Sequence, residues 1–512
     1  MEEIGQPSRA LVPAPALACG AAALAVAVIG CVVSWPFAID DAWISVRYAR
    51  HLASGAGYVW NVGGPRTDGV TPLPWAFMLA PLASAAPLVV LARAKLAGAL
   101  VWSMSAAAWG VSVGRARSPW WAKASAIVLL GVDLPVAAHA VSGMETPFAT
   151  ALATAAAIAY RRPRLAALLA GLAATLRPEL VGWAVVLAAA LAWTAEPGGA
   201  DAERAPRVIS SLSIAGAPFA ACALVRLMVF GRLAPLAVLA KPSDLRHGLA
   251  YVAAAAIFSL APIVLFAPIA LARARGPALA LALAACAHLV VVAVAGGDWM
   301  PYARFLAPVV PSMLLAFVLI APQGVPELHV GRVLAALVVA AWFGPRNVSA
   351  LRRAGADRAA MITAAAPMLA SERRIAAVDI GWVSAVSEAH IVDLAGVTDP
   401  EVAAFGGGHT SKRIDPSYLL AQSPDVAVFY ADPLPQSLAD VNAAPFVHVV
   451  AARLVAASAF AQHFAPSARL PLGATSGYVI FARRPMAATS REGGVVGAEG
   501  ASHAPPPSLG GR

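Results

Sequence analysis

Residues 16–75 read ALACGAAALAVAVIGCVVSWPFAIDDAWISVRYARHLASGAGYVWNVGGPRTDGVTPLPW. The first third is an unbroken apolar run, about residues 16 to 36. It is long enough to cross a hydrocarbon core of roughly 30 Å as a helix, which takes about 20 apolar residues. No small-residue cleavage site precedes Trp35 and Pro36, so the run reads as a retained signal anchor. Directly beyond it stand two adjacent carboxylates, Asp40 and Asp41. Carboxylates are costly to keep near a bilayer, which makes a functional role the default hypothesis for them. The segment that follows them is rich in Gly, Asn and Pro, which signals an ordered outer loop (36–71) with several turns.

The rest of the chain repeats the first theme. Of its 512 residues 60% are hydrophobic and 12% charged, with a mean hydropathy of +0.73. About ten or eleven runs approach or reach spanning length, and their Ala-rich composition lacks the alternation of barrel strands, so the fold class is a polytopic α-helical membrane protein. The formal charge of +10 does not imply nucleic acid, because the Lys and Arg residues fall in short loops between apolar runs, as topology signals do. The four cysteines, Cys19, Cys31, Cys222 and Cys286, all lie in apolar runs; they imply neither a disulfide framework nor a metal site.

The basic loops 114–123, 161–164, 196–207 and 273–276 set the orientation and are read as cytoplasmic. Counting from an inner N-terminus places SGMETPF (142–148), the Arg177–Pro178 turn, residues 231–248, GGDWMPYARF (296–305) and the C-terminal region outside. Residues 72–91 upset the count if they span; Pro72, Pro74, Pro81 and Pro87 favour a re-entrant or interfacial helix. From about 347 the composition changes. RIAAVDIGWV, AHIVDLAGV, DVAVFYA, FVHVVAARL and SGYVIFARR read as short strands among helices and loops. The chain thus divides into a membrane domain (1–346), a small extracytoplasmic α/β domain (347–485) and a Gly/Ser/Pro-rich tail (486–512) read as disordered.

Four acidic places fall on one side by this count: Asp40/Asp41, Glu145, Glu179 and Asp298. If a helix follows Asp40 and Asp41, then Ser45, Tyr48 and His51 lie on nearby faces, and Arg47 and Arg50 are close enough to hold a phosphate. The competing reading is a helix cap with solvated arginines, and the residues favour the two equally. Asp68 is a second polar candidate or a turn former. Glu145 and the Arg177–Pro178–Glu179 turn place charges where apolar runs meet, with an Arg–Glu pair holding helix ends as the plain alternative. Asp298 and Arg304 flank Trp299 and Tyr302, and such rings stack on sugars as readily as they form interfacial belts. His288, inside an apolar run, reads as a satisfied buried polar group.

In this order, DDAWISVRYARHLASGAGYVWNVGGPRTDGVTPLPW, SGMETPF, TLRPEL, Ala240–Lys241, GGDWMPYARFLAPVVP and VDIGWVSAVSEAHIVDLAGVTDP resemble the bacterial membrane glycosyltransferases of the GT-C superfamily, in particular the set around the mycobacterial terminal β-arabinofuranosyltransferase. The resemblance covers about residues 36 to 430. It implies an inverting transfer of a sugar, such as arabinofuranose, from a polyprenyl-phosphate carrier to an acceptor hydroxyl of a cell-envelope glycan at the outer face of the cytoplasmic membrane. It also implies that Asp40 or Asp41 is the catalytic base, and that Arg47, Arg50, Lys241 and Arg304 are phosphate holders. Two departures stand out. APLAVLAK replaces a Pro-Asn-Thr-aromatic run before the Ala-Lys pair, and TDG stands where a VEG-like triplet is usual, keeping the carboxylate at Asp68. No nucleotide cofactor is implied; a divalent metal is compatible with the outer carboxylates, though no ligand spacing demands one. The partners implied are the lipid-linked donor, the glycan acceptor and membrane lipid, with no nucleic acid. A transporter or flippase of lipid-linked glycans is the alternative; it calls for mid-bilayer charges and paired broken helices, which the sequence does not clearly show.

Overall fold

The computed structural model describes residues 12–195, 201–240, 243–260, 272–323 and 326–485. Lys241 and the 486–512 tail lie outside these residues. The chain is a helical membrane protein with a small C-terminal α/β domain. Among the described residues five helices are long and apolar enough to cross a membrane: Ala14–Ser34, Pro87–Arg115, Glu203–Phe230, Gly276–Val294 and Val333–Leu369. Trp120–Val132 and Leu134–Ala140, which meet at a 57° bend, form either a broken sixth span or a re-entrant loop. The bend lies at Asp133, whose carboxylate accepts from Val136 N at the start of the second piece.

Length alone therefore does not give about eleven spans. Thr146–Ile158, Pro163–Leu176 and Val181–Thr194 have 13 or 14 residues; at 1.5 Å per residue they reach only about 20 Å. Instead they form the centre of the bundle. Ala149, Ala153, Ala166, Ala170, Ala173, Trp183, Leu187 and Leu191 are buried in one core with the longer helices. Small side chains let the backbones approach, so dispersion contacts are gained where no water is available to drive association.

Residues 72–91 split in two. Leu73–Leu79 and the 3₁₀ turn Ala80–Leu82 make a short element, and Pro87 then opens the 29-residue Pro87–Arg115 helix. Ten residues rise about 15 Å, too little to cross.

The C-terminal sheet has five strands, β1 (Arg374–Ala377), β2 (His390–Asp393), β3 (Val426–Ala431), β4 (Phe464–Leu472) and β5 (Ser476–Arg483), in the order β2-β1-β3-β5-β4. β1 runs parallel to β2 and β3, while β5 is antiparallel to both β3 and β4. Two sequence expectations change here. FVHVVAARL folds mainly as the Val449–Ala456 helix, because Val450, Ala451 and Leu454 share a helical face toward the core. β4 was not expected; it carries Pro466 and Pro471, which an edge strand tolerates because one side of its ladder is unpaired.

The two parts share a core. Side chains alternate along the strands, so Ala376, Ala427, Phe429 and Val479 face one layer. Ile375, Ala377, Val426, Val428 and Ile480 face the other, against Trp43, Tyr48, Trp60 and Trp75 of the first loop region. A boundary at 346/347 also falls inside a continuous helix, Pro326–Leu369. Cutting there would sever that helix and strip the 40–75 segment of its cover.

Candidate functional site

Asp40 and Asp41 open the Asp40–Ala53 helix as first-turn residues after an extended Ile39. Carboxylates are favoured there by the unpaired N–H groups and the helix dipole. From adjacent positions the two side chains go to different places. Asp40 turns to the C-terminal domain, where its carboxylate accepts from Gly381 N at 3.0 Å and Trp382 N at 2.8 Å. Arg358 Nη1 of the long helix stands 3.4 Å away. A Cβ on residue 381 would land on the Asp40 carbonyl and carboxylate, so glycine is what permits the approach. Asp40 thus caps a helix that lies 340 residues further along the chain, at the end where a phosphate sits in nucleotide-binding α/β folds.

Burial pushes Asp40 up to about 7 from 3.8, with Arg358 pulling it down and the carboxylates of Asp379 and Asp41 adding to the rise. The folded protein therefore keeps this proton over a range where the unfolded chain has lost it. Stability from this junction is largest below about pH 4 and falls as pH rises through about 7. Asp40→Asn, which mimics the neutral form, is predicted to fold and to flatten that slope. Melting temperatures of both proteins at pH 5 and pH 8 check this; a slope equal to that of the wild type would refute it.

Asp41 goes the other way. Its side chain is 37% exposed and its Oδ2 is 3.8 Å from Arg304 Nη1. Arg304 is itself held in a fork by Asp298, Nε to Oδ2 at 2.8 Å and Nη2 to Oδ1 at 3.2 Å. The loop carrying this pair is tightly bent, with Tyr302 and Ala303 at φ +62° and +44°, a left-handed conformation costly for non-glycine residues. His139 Nε2 donates to the Tyr302 carbonyl and the Tyr302 ring packs edge-on against Phe37, fixing the strained turn.

Next to this group lies a second. Pro178 ends the preceding helix, and Arg177 in that turn donates to Glu145 Oε1 at 2.8 Å and to Glu179 Oε1 at 2.7 Å. Phe305 joins the two groups, with the Arg177 and Arg304 guanidiniums 5.0 and 5.4 Å from its ring centroid. The two His288 ring nitrogens lie 3.1 and 2.7 Å from the carbonyls of Glu179 and Phe305, the satisfied buried role read for it. Asp41, Glu145, Arg177, Glu179, Asp298 and Arg304 therefore form one connected network, drawn from four separate loops. Its four carboxylates outnumber its two guanidiniums. Glu145 Oε2 is buried with no donor among the described residues, a costly state that a ligand hydroxyl would relieve.

Asp68 lies apart from this group. Its Oδ2 accepts from Arg226 Nε at 2.7 Å, both side chains being buried, and Arg226 also donates to the Thr71 carbonyl. Burial raises the Asp68 pKa against the pull of Arg226. Asp68 Oδ1 has no partner among the described residues. Leu236 N donates to the Asp68 carbonyl at 3.1 Å, which brings the segment leading to Lys241 against this loop. Arg226→Ala leaves a buried carboxylate uncompensated and is predicted to cost about 3–5 kcal/mol; denaturant unfolding measures it, and a loss below about 1 kcal/mol would make the pair a surface-like bridge.

Arg47 and Arg50 are not in the network. The helix bearing Arg47 is buried from Ala42 to Ala49, so the Arg47 donors are engaged by carbonyls of Trp60 (2.8 Å), Ala389 (2.7 Å) and Ser387 (3.2 Å). Arg50 pairs with Glu388 at 2.6 Å and donates to the Ala85 carbonyl. Asn61, passed over in the sequence, pairs with both backbone groups of Ile391 on the edge strand β2. These residues fasten the first loop to the C-terminal domain and lie outside the Asp41–Arg304 network. Trp299 is 70% exposed and stacks on His247 at 4.0 Å, at the surface of the Asp298 loop. Arg226 had a signal in the sequence: it is a lone cation in an apolar run, which is rarely idle. Arg358 and Gly381 had none.

Residues 348–481 match the model of a domain of unknown function (DUF8728). This match covers the C-terminal sheet and the helix end that bears Arg358 and leaves the membrane part unmatched. Among curated proteins and among solved structures nothing matches the chain. The matched region contributes Gly381, Trp382 and Arg358 to the Asp40 junction and, among the described residues, no side chain to the Asp41–Arg304 network. Among the described residues no group of three or more His, Cys, Asp or Glu is arranged to hold a metal ion.

Proposed function

We propose that the chain is an inverting glycosyltransferase that moves a sugar from a polyprenyl-phosphate carrier to a glycan hydroxyl at the extracytoplasmic face of the bacterial cytoplasmic membrane. The observation that carries this reading is the placement of Asp41, a partly exposed carboxylate 3.8 Å from a guanidinium. Of the two sequence candidates it is the one free to meet a substrate, since Asp40 is held by backbone N–H groups and Arg358. In this reading Asp41 takes the acceptor proton as the hydroxyl oxygen attacks the anomeric carbon, and the carrier phosphate leaves with its charge held by cations. A single displacement inverts the anomeric centre.

The surroundings suit such a substrate. An apolar cavity of about 780 Å³, lined by residues including Met78, Met104, Phe148, Leu152, Leu172 and Leu176, runs alongside the helices that end at Glu145 and Arg177. It offers an isoprenoid tail a place beside the polar network. The excess of carboxylates in that network means it cannot neutralise a phosphate alone. The additional positive charge is assigned to Lys241, as the resemblance implies. Glu145 Oε2, a buried acceptor, is suited to a sugar hydroxyl. The test is transfer by protein reconstituted in lipid: Lys241→Ala is predicted to raise the apparent KM for the carrier at least tenfold while leaving the acceptor KM unchanged. An unchanged carrier KM would remove Lys241 from the phosphate site.

A further inference from the structure

The C-terminal domain has a feature that neither the Asp40 junction nor the transfer chemistry uses. In its sheet order, β1 sits between β2 and β3, with both connections leaving from parallel strands in opposite directions. Ligands of open α/β sheets bind at such a switch, in the crevice outside the carboxyl ends of the strands. Asp379 lies there, two residues beyond β1. Its counterpart at the end of β2, Asp393, is buried and engaged by Ala395 N, Gly396 N and both Thr398 donors. Asp379 is not closed off in this way. Its side chain is 28% exposed; Oδ2 accepts from Tyr478 OH at 2.9 Å, and Oδ1 stands 3.6 Å from His448 Nε2.

His448 arrives on a segment pinned beside the end of β3, where Val447 N donates to the Tyr430 carbonyl. Its Nδ1 is buried and has no partner among the described residues. The rings of His448 and Tyr478 flank Tyr430, at 6.2 and 5.2 Å. The crevice thus offers a carboxylate, an imidazole and aromatic faces. An anionic ligand is disfavoured here on two counts. The helix N-terminus that would take a phosphate is already filled by the Asp40 carboxylate, and Asp40 and Asp379 are close enough to repel each other.

We propose that Asp379, His448 and Tyr430 form a binding subsite for a neutral, hydroxyl-rich ligand, namely the sugar units of the acceptor glycan, with hydroxyls donating to Asp379 and ring C–H faces packing on the aromatics. The inference rests on the glycosyltransferase reading for the identity of the ligand. Asp40 links the two places: its carboxylate neighbours Asp379 and its chain neighbour is Asp41.

The experiment is saturation-transfer NMR on the full chain in lipid nanodiscs, with methyl arabinofuranoside, methyl mannopyranoside and methyl glucopyranoside as probes and AMP as the anionic control. At least one glycoside is predicted to bind, with AMP silent. Asp379→Asn and His448→Ala should each weaken that binding at least tenfold, while Asp41→Asn leaves it intact. Asparagine can still accept from Tyr478, and His448 lies at the rim, so near-UV circular dichroism matching the wild type is expected for both variants. Glycoside binding unchanged in the His448 variant, binding of AMP in place of the glycosides, or no binding by any probe would overturn the subsite. None of these bears on whether Asp41 supports transfer, so the two readings fail separately.

Discussion

Asp41→Asn is expected to insert, fold and melt as the wild type does, and to transfer no measurable sugar. An amide cannot take the acceptor proton, and losing a general base typically costs roughly 10²–10⁴-fold in rate. Stability should change little, because the Asp41 side chain is 37% exposed and its ion-pair partner Arg304, at 3.8 Å, is already held in a fork by Asp298. The neighbouring change, Asp40→Asn, gives the contrast. It alters a junction with the C-terminal domain and should retain transfer at neutral pH. The pair separates chemistry from architecture in two residues that differ by a single step along the chain. Equal loss in both, with both folded, would mean that the junction and not a proton acceptor is what transfer needs.

The second large effect is structural. Gly381→Ala places a methyl group on the Asp40 carbonyl and carboxylate. Neither can yield easily, since the first belongs to a helix start and the second is bound by two N–H groups and faces Arg358. Overpacking of this kind costs about 1–3 kcal/mol, or more where backbone must move. Here the movement would part the Ile380–Val386 helix from the Asp40–Ala53 helix and open a core that holds Trp43, Tyr48 and Trp382 together. Limited proteolysis should cut the variant between the membrane part and the C-terminal domain at protease levels that leave the wild type whole. Equal resistance would show that the two parts are held by other contacts.

Much of this arrangement was readable from the chain. The acids at Asp41, Glu145, Glu179 and Asp298 stand out because carboxylates are rare at the ends of apolar runs, and loop charge predicted a common side for them. The structure joins all four into one network through Arg177, Arg304 and Phe305. What the sequence left open is which way each side chain turns. Asp40 and Asp41 are equivalent on paper; a glycine 341 residues beyond Asp40 decides between them. Arg47 and Arg50 read equally well as phosphate holders or as solvated cations beyond a helix cap, but the C-terminal domain covers that helix, so backbone carbonyls engage Arg47 and Glu388 pairs with Arg50. Long-range partners of this kind leave no local pattern. The proline-bearing strand β4 was missed for a different reason: its residue types argue against a strand except at a sheet edge, and an edge is a property of the whole sheet.

The proposed action of Asp41 and its network on a lipid-linked sugar has a direct consequence. The direct measurement is release of polyprenyl phosphate when the purified protein, in lipid and with a glycan acceptor, is given a panel of polyprenyl-phosphate sugars. Release is expected from at least one carrier, dependent on acceptor, with inversion at the anomeric carbon and none from Asp41→Asn. No release from any carrier by folded wild-type protein, or equal release by Asp41→Asn, would contradict it.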